Sequence, residues 1–155
     1  MIDDNADSPV HAPAYGLLMG HTACHYCQAQ TPTVALWVPS YADPEENGPG
    51  EGSALLQYIS DLDVAAKDFL LGHAHWLRQA HTRTADQHYF AHHCTNCGAL
   101  QGDHYVFSFG GPYWPQDDAA LSRLTYIEGL GTLTAWATAA QSGWMDRVPH
   151  VCRRA

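Results

Sequence analysis

The chain has 155 residues and 46% of them are hydrophobic, which suits one compact domain with a substantial core. Only 15% are charged, and 16 acidic against 7 basic residues give a formal net charge of -9. Nucleic acid is therefore disfavoured as a partner, because non-specific binding to phosphate backbones rests on Lys and Arg, and a basic protein partner suits the charge better.

Residues 1–13 carry Asp3, Asp4, Asp7, Pro9 and Pro13 and predict a flexible N-terminal tail, leaving residues 14–155 as a single domain. This acidic start lacks the basic and apolar regions of a secretory signal. The longest weakly polar run, "LGTLTAWATAA", is too short and too rich in Thr to span a bilayer, so the expected location is cytoplasmic. A first Cys-x-x-Cys knuckle, "CHYC", precedes "TVALWV", where Val34, Leu36 and Val38 alternate with Ala35 and Trp37 as in a strand. "DPEENGPGEG" predicts a loop and "SALLQYIS" a further strand. Leu62, Ala65, Ala66, Phe69 and Leu70 make one apolar face of a helix, with Asp61 as N-cap and Gly72 as C-terminal stop.

"AHWLRQAH" and "QHYFAHH" predict two strands joined by the turn "TRTAD". A second knuckle, "CTNC", follows at once. Tyr105, Phe107 and Phe109 alternate with Val106 and Ser108, which predicts a half-buried strand. "GGPYWP" predicts a turn, "DDAALSRL" a short helix ending near Arg123, and "LTYIE" a strand. "GTLTAWATA" mixes Ala with Thr and Trp, and the balance favours strand. Trp76, Trp114, Trp136 and Trp144 are expected in the core or at an interface.

Four of the five cysteines fall in the two knuckles, Cys24/Cys27 and Cys94/Cys97, and Cys152 is left over. Each Cys-x-x-Cys places two thiolates on one side of a tight loop, and two such loops complete the tetrahedron that Zn²⁺ prefers. Backbone amides in each knuckle can donate to the sulfurs. Gly98 suits the positive φ of the residue closing such a turn, whereas Gln28 in the matching place points to a different turn in the first knuckle. The 66 residues between Cys27 and Cys94 make the metal a staple across distant parts of one sheet. A cross-link of that span removes about 4 kcal/mol of unfolded-state entropy. Iron would use the same ligand set. Two unrelated buried cysteine pairs, or a thioredoxin-like redox pair, are rival readings, but the latter leaves one knuckle unexplained.

The chain holds 11 histidines, and His21, His25, His92 and His93 adjoin the knuckles. A catalytic zinc would need three protein ligands, an open position and a nearby carboxylate, for which Asp103 is the only acid close in sequence to the second knuckle. The plainer reading makes "GALQGD" a tight turn capped by Asp103. His92 and His93 point to opposite faces if the strand runs to Cys94. His92, Asn96 and His104 match a His-Asn-His nuclease in letters alone, since His104 opens a strand-like run. No phosphate-binding Gly-rich Lys motif and no Gly-x-Ser-x-Gly turn occur.

"CHYCQAQTPTVALWV", "LLQYISDL" and "HYFAHHCTNCGALQGDHYVF" followed by "GGPYWP" resemble a group of small uncharacterised bacterial zinc-ribbon proteins. In those, an "NHCxxCGAxQGD" block precedes a Gly-Pro-aromatic-Pro turn. The likeness spans roughly Cys24 to Arg123, and His92 stands where Asn is common. It implies zinc held by Cys24, Cys27, Cys94 and Cys97, and it carries no activity.

These readings converge on an α+β domain: a zinc-ribbon-like antiparallel sheet with one or two short helices and a structural Zn²⁺. The expected function is a non-enzymatic binding or adaptor protein acting through protein–protein contacts, with an inhibitor or immunity-type protein as a special case. A nucleic-acid-linked regulatory ribbon and a zinc-dependent enzyme using His93, His104 or Asp103 are the alternatives.

Overall fold

The computed structural model describes residues 9–43, 49–50, 52–82 and 87–155. In chain order the first half contains β1 (Val10–Ala12), β2 (Gly16–Ala23), β3 (Gln30–Val38), β4 (Tyr41–Ala42), β5 (Pro49–Gly50), β6 (Ala54–Leu62), α1 (Val64–His73) and β7 (Leu77–Thr82). The second half contains β8 (Gln87–His93), β9 (Leu100–Gln101), α2 (Asp103–Val106), α3 (Asp118–Leu121), β10 (Thr125–Glu128) and β11 (Leu133–Ala140). A 3-10 turn (Gly143–Arg147), α4 (Val148–Val151) and β12 (Arg153–Arg154) close the chain. The fold is α+β.

Among the described residues the strands form two sheets. The larger has nine strands in the order β12-β10-β2-β3-β6-β11-β1-β4-β5, and the smaller has three in the order β7-β8-β9. All pairings are antiparallel except β10 with β12.

The alternation in β3 explains the layering. Val34, Leu36 and Val38 face one core with Leu56, Leu70, Leu77 and Phe90. Ala35 and Trp37 face a second core with Leu18, Tyr113, Leu121 and Met145. A strand buried on both sides needs a cover on each. The small sheet and α1 supply the first, and the 106–124 segment with the C-terminal turns supplies the second. Polar atoms in the second layer are paired: Trp37 Nε1 donates to the Met145 carbonyl at 2.9 Å, and Tyr113 Oη donates to the Leu18 carbonyl at 2.7 Å.

β6 bulges between Gln57 and Asp61, opposite Trp136 and Thr138 of β11. Tyr58 within the bulge takes φ 52°, a left-handed conformation that costs energy for a residue with a Cβ. The small sheet docks at this bulge, where Gln79 Nε2 donates to the Ser60 carbonyl at 2.9 Å.

Several expectations are corrected. Residues 10–12, assigned to the flexible tail, are β1: Val10 and Ala12 are buried, and the strand pairs with β11. The helix is shifted, because Asp61 and Leu62 still pair with β11. Asp63 is the N-cap, accepting from the Ala66 amide at 3.2 Å, and Gly72 lies inside α1, which runs to His73. The strand expected over 105–109 is instead α2 followed by turns. Gly102 and Asp103 carbonyls accept from Val106 and Phe107 amides, so only Val106 is fully buried while Tyr105 and Phe107 lean half-exposed on the second core. Four α-helices occur among the described residues, more than the one or two expected. The loop expected over 43–52 and the turn over 82–86 fall largely outside the described residues.

Asp63 also joins α1 to β11, since its second carboxylate oxygen accepts from the Thr134 amide at 2.8 Å. Asp63→Ala is expected to lower unfolding stability by about 2 kcal/mol through loss of the cap and this link, read as a drop in the urea midpoint at unchanged m-value.

Candidate metal centre

Each knuckle closes a hairpin. Cys24 to Ala29 link β2 to β3, and Cys94 to Ala99 link β8 to β9. The two loops share one hydrogen-bond pattern. Cys24 N donates to Ala29 O and Gln28 N to Cys24 O, each at 2.9 Å, and Cys94 N donates to Ala99 O and Gly98 N to Cys94 O at the same length. Gly98 has φ 81° and Gln28 has φ 69°, so Gln28 adopts the same turn despite its Cβ, contrary to the expectation of a different one. One knuckle belongs to each sheet, so the sulfurs join two sheets rather than distant parts of one.

All four nominated cysteines come together, with their sulfurs within 4.8 Å of one another and no histidine in the group. Cys24 and Cys97 sulfurs are 3.7 Å apart, as are those of Cys27 and Cys94. A tetrahedron with metal–sulfur bonds of about 2.3 Å has edges of about 3.8 Å. A disulfide would require about 2.05 Å. The donor set therefore fits a tetrahedral metal ion.

Amides surround the sulfurs. Cys24 Sγ accepts from Tyr26 N at 3.3 Å, Cys27 N at 3.4 Å and Gln101 Nε2 at 3.2 Å. Cys94 Sγ accepts from Asn96 N at 3.3 Å and Cys97 N at 3.4 Å, and Asn96 Nδ2 donates to Cys27 Sγ at 3.4 Å. Burial opposes a Cys24 thiolate, but the Cys27 and Tyr26 amides and the neighbouring thiols outweigh it and bring the group down to about 6. The Cys97 amide likewise lowers the Cys94 thiol. At Cys97 the Ala99 amide favours the thiolate, yet burial and the three other sulfurs push it up to about 11. Crowded thiolates repel, and a bound cation removes that repulsion.

Two buried polar side chains bind the knuckles to each other, and neither was singled out from the sequence. Gln101 Oε1 accepts from His25 N at 3.1 Å, and Thr31 Oγ1 accepts from Thr95 N at 3.1 Å. Gln101 and Thr31 each lie seven residues beyond the first cysteine of their own knuckle, and the amides they bind each lie one residue beyond the first cysteine of the other. The exchange is two-fold symmetric. The signal available in the sequence was this shared offset of polar residues entering strands.

The remaining candidates lie apart from the sulfurs. His92 is buried on β8, and its Nε2 accepts from Val34 N at 3.0 Å, tying the small sheet to β3. Burial lowers its pKa to about 4 against the raising effect of the Val34 backbone. His93 is half-buried with Nδ1 at 3.0 Å from the Ala91 carbonyl, so the two rings do take opposite faces. His21 and His104 are exposed, and His25 Nε2 lies 2.9 Å from the Leu100 carbonyl. Cys152 is half-buried near the Leu121 carbonyl, and burial pushes its thiol up to about 11. Asp103 does not cap its own turn: its carboxylate accepts from the Tyr58 amide at 2.7 Å and so holds the β6 bulge. Its own amide donates to Tyr89 Oη at 2.9 Å.

No helix among the described residues is long and apolar enough to cross a membrane. Comparison with family models, curated proteins and solved structures returns no match. The likeness to zinc-ribbon proteins thus rests on its motif residues, of which the structure bears out the four-cysteine cluster.

Two outcomes follow. Cys94→Ser should lose bound metal and unfold the domain or sharply lower its stability, read by metal analysis and circular dichroism on the same sample. Burial raises the Asp103 carboxyl to about 7 against the Tyr58 amide. The folded state then keeps a proton that the unfolded chain releases near pH 4, so this group's contribution is full below about pH 4 and is lost as pH rises to about 7. Asp103→Asn removes that decline. The stability of the variant relative to the parent should therefore rise from pH 4 to 7, measured by urea unfolding at several pH values.

Proposed function

We propose that the chain is a zinc-stabilised binding protein, without catalysis of its own, that acts by contact with another protein as an inhibitor or immunity-type protein does. The carrying observation is the closed set of four sulfurs, which leaves a tetrahedral ion no open position for water or substrate. Zinc is the ion that four thiolates without redox partners suit best. The groups that catalysis would have recruited are spent on structure, Asp103 on the β6 bulge and His92 on β3. Sulfurs held at 3.7 Å as thiols or thiolates suit a reducing compartment, and we place the protein in the cytoplasm.

Exposed aromatics support a contact surface. Tyr26 at the tip of the first knuckle is 78% exposed, and Phe109 and Trp114 pack edge to face with 75% and 48% exposure. Beside Trp114 lies an open groove of about 700 Å³ lined by His21, Tyr105 and Arg123 as well. His25 packs edge to face against both Tyr26 and Tyr105 and so joins the knuckle to this rim. Lys67, Arg147 and Arg154 are paired with Asp61, Asp118 and Glu128. Those pairs neutralise part of the few cations, and the acidic surplus favours a basic partner.

The test is affinity capture from host lysate on the immobilised zinc-loaded chain, with a Tyr26→Ala/Trp114→Ala double variant beside it. A basic protein retained at low salt, released by raised salt and lost in the double variant is the expected result. Equal capture by both chains, capture only of nucleic acid, or no capture above the bare matrix would sink the reading. One equivalent of zinc in the purified chain is expected, and iron in its place would overturn the metal assignment.

A further inference from the structure

A second concave site shares the Trp114–Gln116 segment with the groove. It is a cleft of about 320 Å³ between β6, the 107–116 segment and the turn after β11. That volume sits at the lower end of the range for small-molecule sites, about 300–1,000 Å³, and suits a ligand of one or two rings. Phe107, Trp114 and Trp144 give it aromatic walls, and Gln57, Gln116 and Gln141 bring three amides from three different parts of the chain. Gln141 is steered by a bond from its Nε2 to the Ser53 carbonyl at 3.3 Å. The side-chain amides of Gln57 and Gln116 make no hydrogen bond among the described residues.

Among the described residues the lining contains no charged side chain. Of the two acids adjacent in sequence, Asp146 is engaged by the amide and hydroxyl of Ser53 at 3.0 and 2.7 Å and Asp117 by the Ala120 amide at 2.8 Å. A charged ligand entering the cleft would lose hydration without a compensating partner, and an anion would also meet the net charge of -9. A quaternary ammonium would use the rings but give the amides of Gln57 and Gln116 no partner. A sugar would present hydroxyls all around where the polar groups are few. A flat uncharged heterocycle uses both features: its faces stack on the indoles, and its edge pairs with amides that each carry a donor and an acceptor.

We propose that this cleft binds a neutral nucleobase or nucleoside, a role distinct from the protein contact above although Trp114 borders both surfaces. The observation behind it is the side-chain amides of Gln57 and Gln116 beside four aromatic side chains, Phe107, Tyr113, Trp114 and Trp144, in a cleft whose described lining carries no charge.

The test is a titration of the full zinc-loaded chain with adenosine, guanosine, cytidine and uridine, followed by tryptophan fluorescence and saturation-transfer NMR. The matching monophosphates, methyl glucoside and choline serve as comparators. At least one nucleoside should bind with a sub-millimolar Kd and bind more tightly than its monophosphate. Gln57→Leu and Trp144→Ala should each weaken it by about tenfold or more. Trp114→Ala, at an exposed position, should weaken it with unchanged circular dichroism, which separates loss of the site from loss of the fold. Absence of nucleoside binding at millimolar concentration overturns the proposal. So does affinity unchanged in both Gln57→Leu and Trp114→Ala, or tighter binding of the glucoside or choline.

Discussion

The structure turns on an exchange of hydrogen bonds between two hairpin loops. Gln101 receives the amide of His25, and Thr31 receives the amide of Thr95. Both side chains are buried, and neither amide has another backbone partner. Pulling the knuckles apart would strand four polar groups at once, each costing about 1–3 kcal/mol if kept from water. This contact sets the two knuckles in the register that brings the four sulfurs together, the same arrangement that a bound ion would hold.

From that junction the layers follow. The first knuckle extends β2 and β3 in the large sheet, the second extends β8 and β9 in the small one, and their meeting presses the small sheet against β3. His92 completes the seam with the Val34 amide, and Asp103 fastens the bulge beside it. Both are ionisable groups kept in low-polarity surroundings, with His92 held neutral and Asp103 favoured in its protonated form. The second cover, from α2 to α4, contains none of the four knuckle cysteines and relies on Trp37, Tyr113 and Leu121. The aromatic rim and the nucleobase-sized cleft both belong to this side of the molecule, where Trp114 takes part in each.

The cysteines were legible from spacing because Cys-x-x-Cys is a local turn whose ligand geometry survives any fold around it. The strands with clean alternation, "TVALWV" above all, were legible because both covers impose period two on β3. The run after Gly102 alternates just as well and yet forms α2, because Tyr105 Oη reaches across to the Ala23 carbonyl and the chain has to leave the small sheet there. Local pattern was overridden by a contact 82 residues distant in sequence. The helix boundary failed for a related reason: Asp61 and Asp63 are equally good caps in isolation, and pairing of β6 with β11 through Leu62 decides between them. Gln101 and Thr31 stayed hidden because a polar residue gains its meaning only when the second knuckle is placed opposite the first.

The locality of each knuckle has a consequence during synthesis. The first hairpin can close as soon as residues 16–37 are free, but Cys94 comes 67 residues after Cys27. At about 5–20 residues per second, Cys24 and Cys27 wait several seconds as an isolated dithiol. The Gln101 side chain that will donate to Cys24 has not yet been made. In that interval the nascent chain is a half-site, able to take up an ion with two ligands missing or to lose electrons to an oxidant. Reducing power and the supply of metal ion during synthesis thus bear on this chain before its fold is finished.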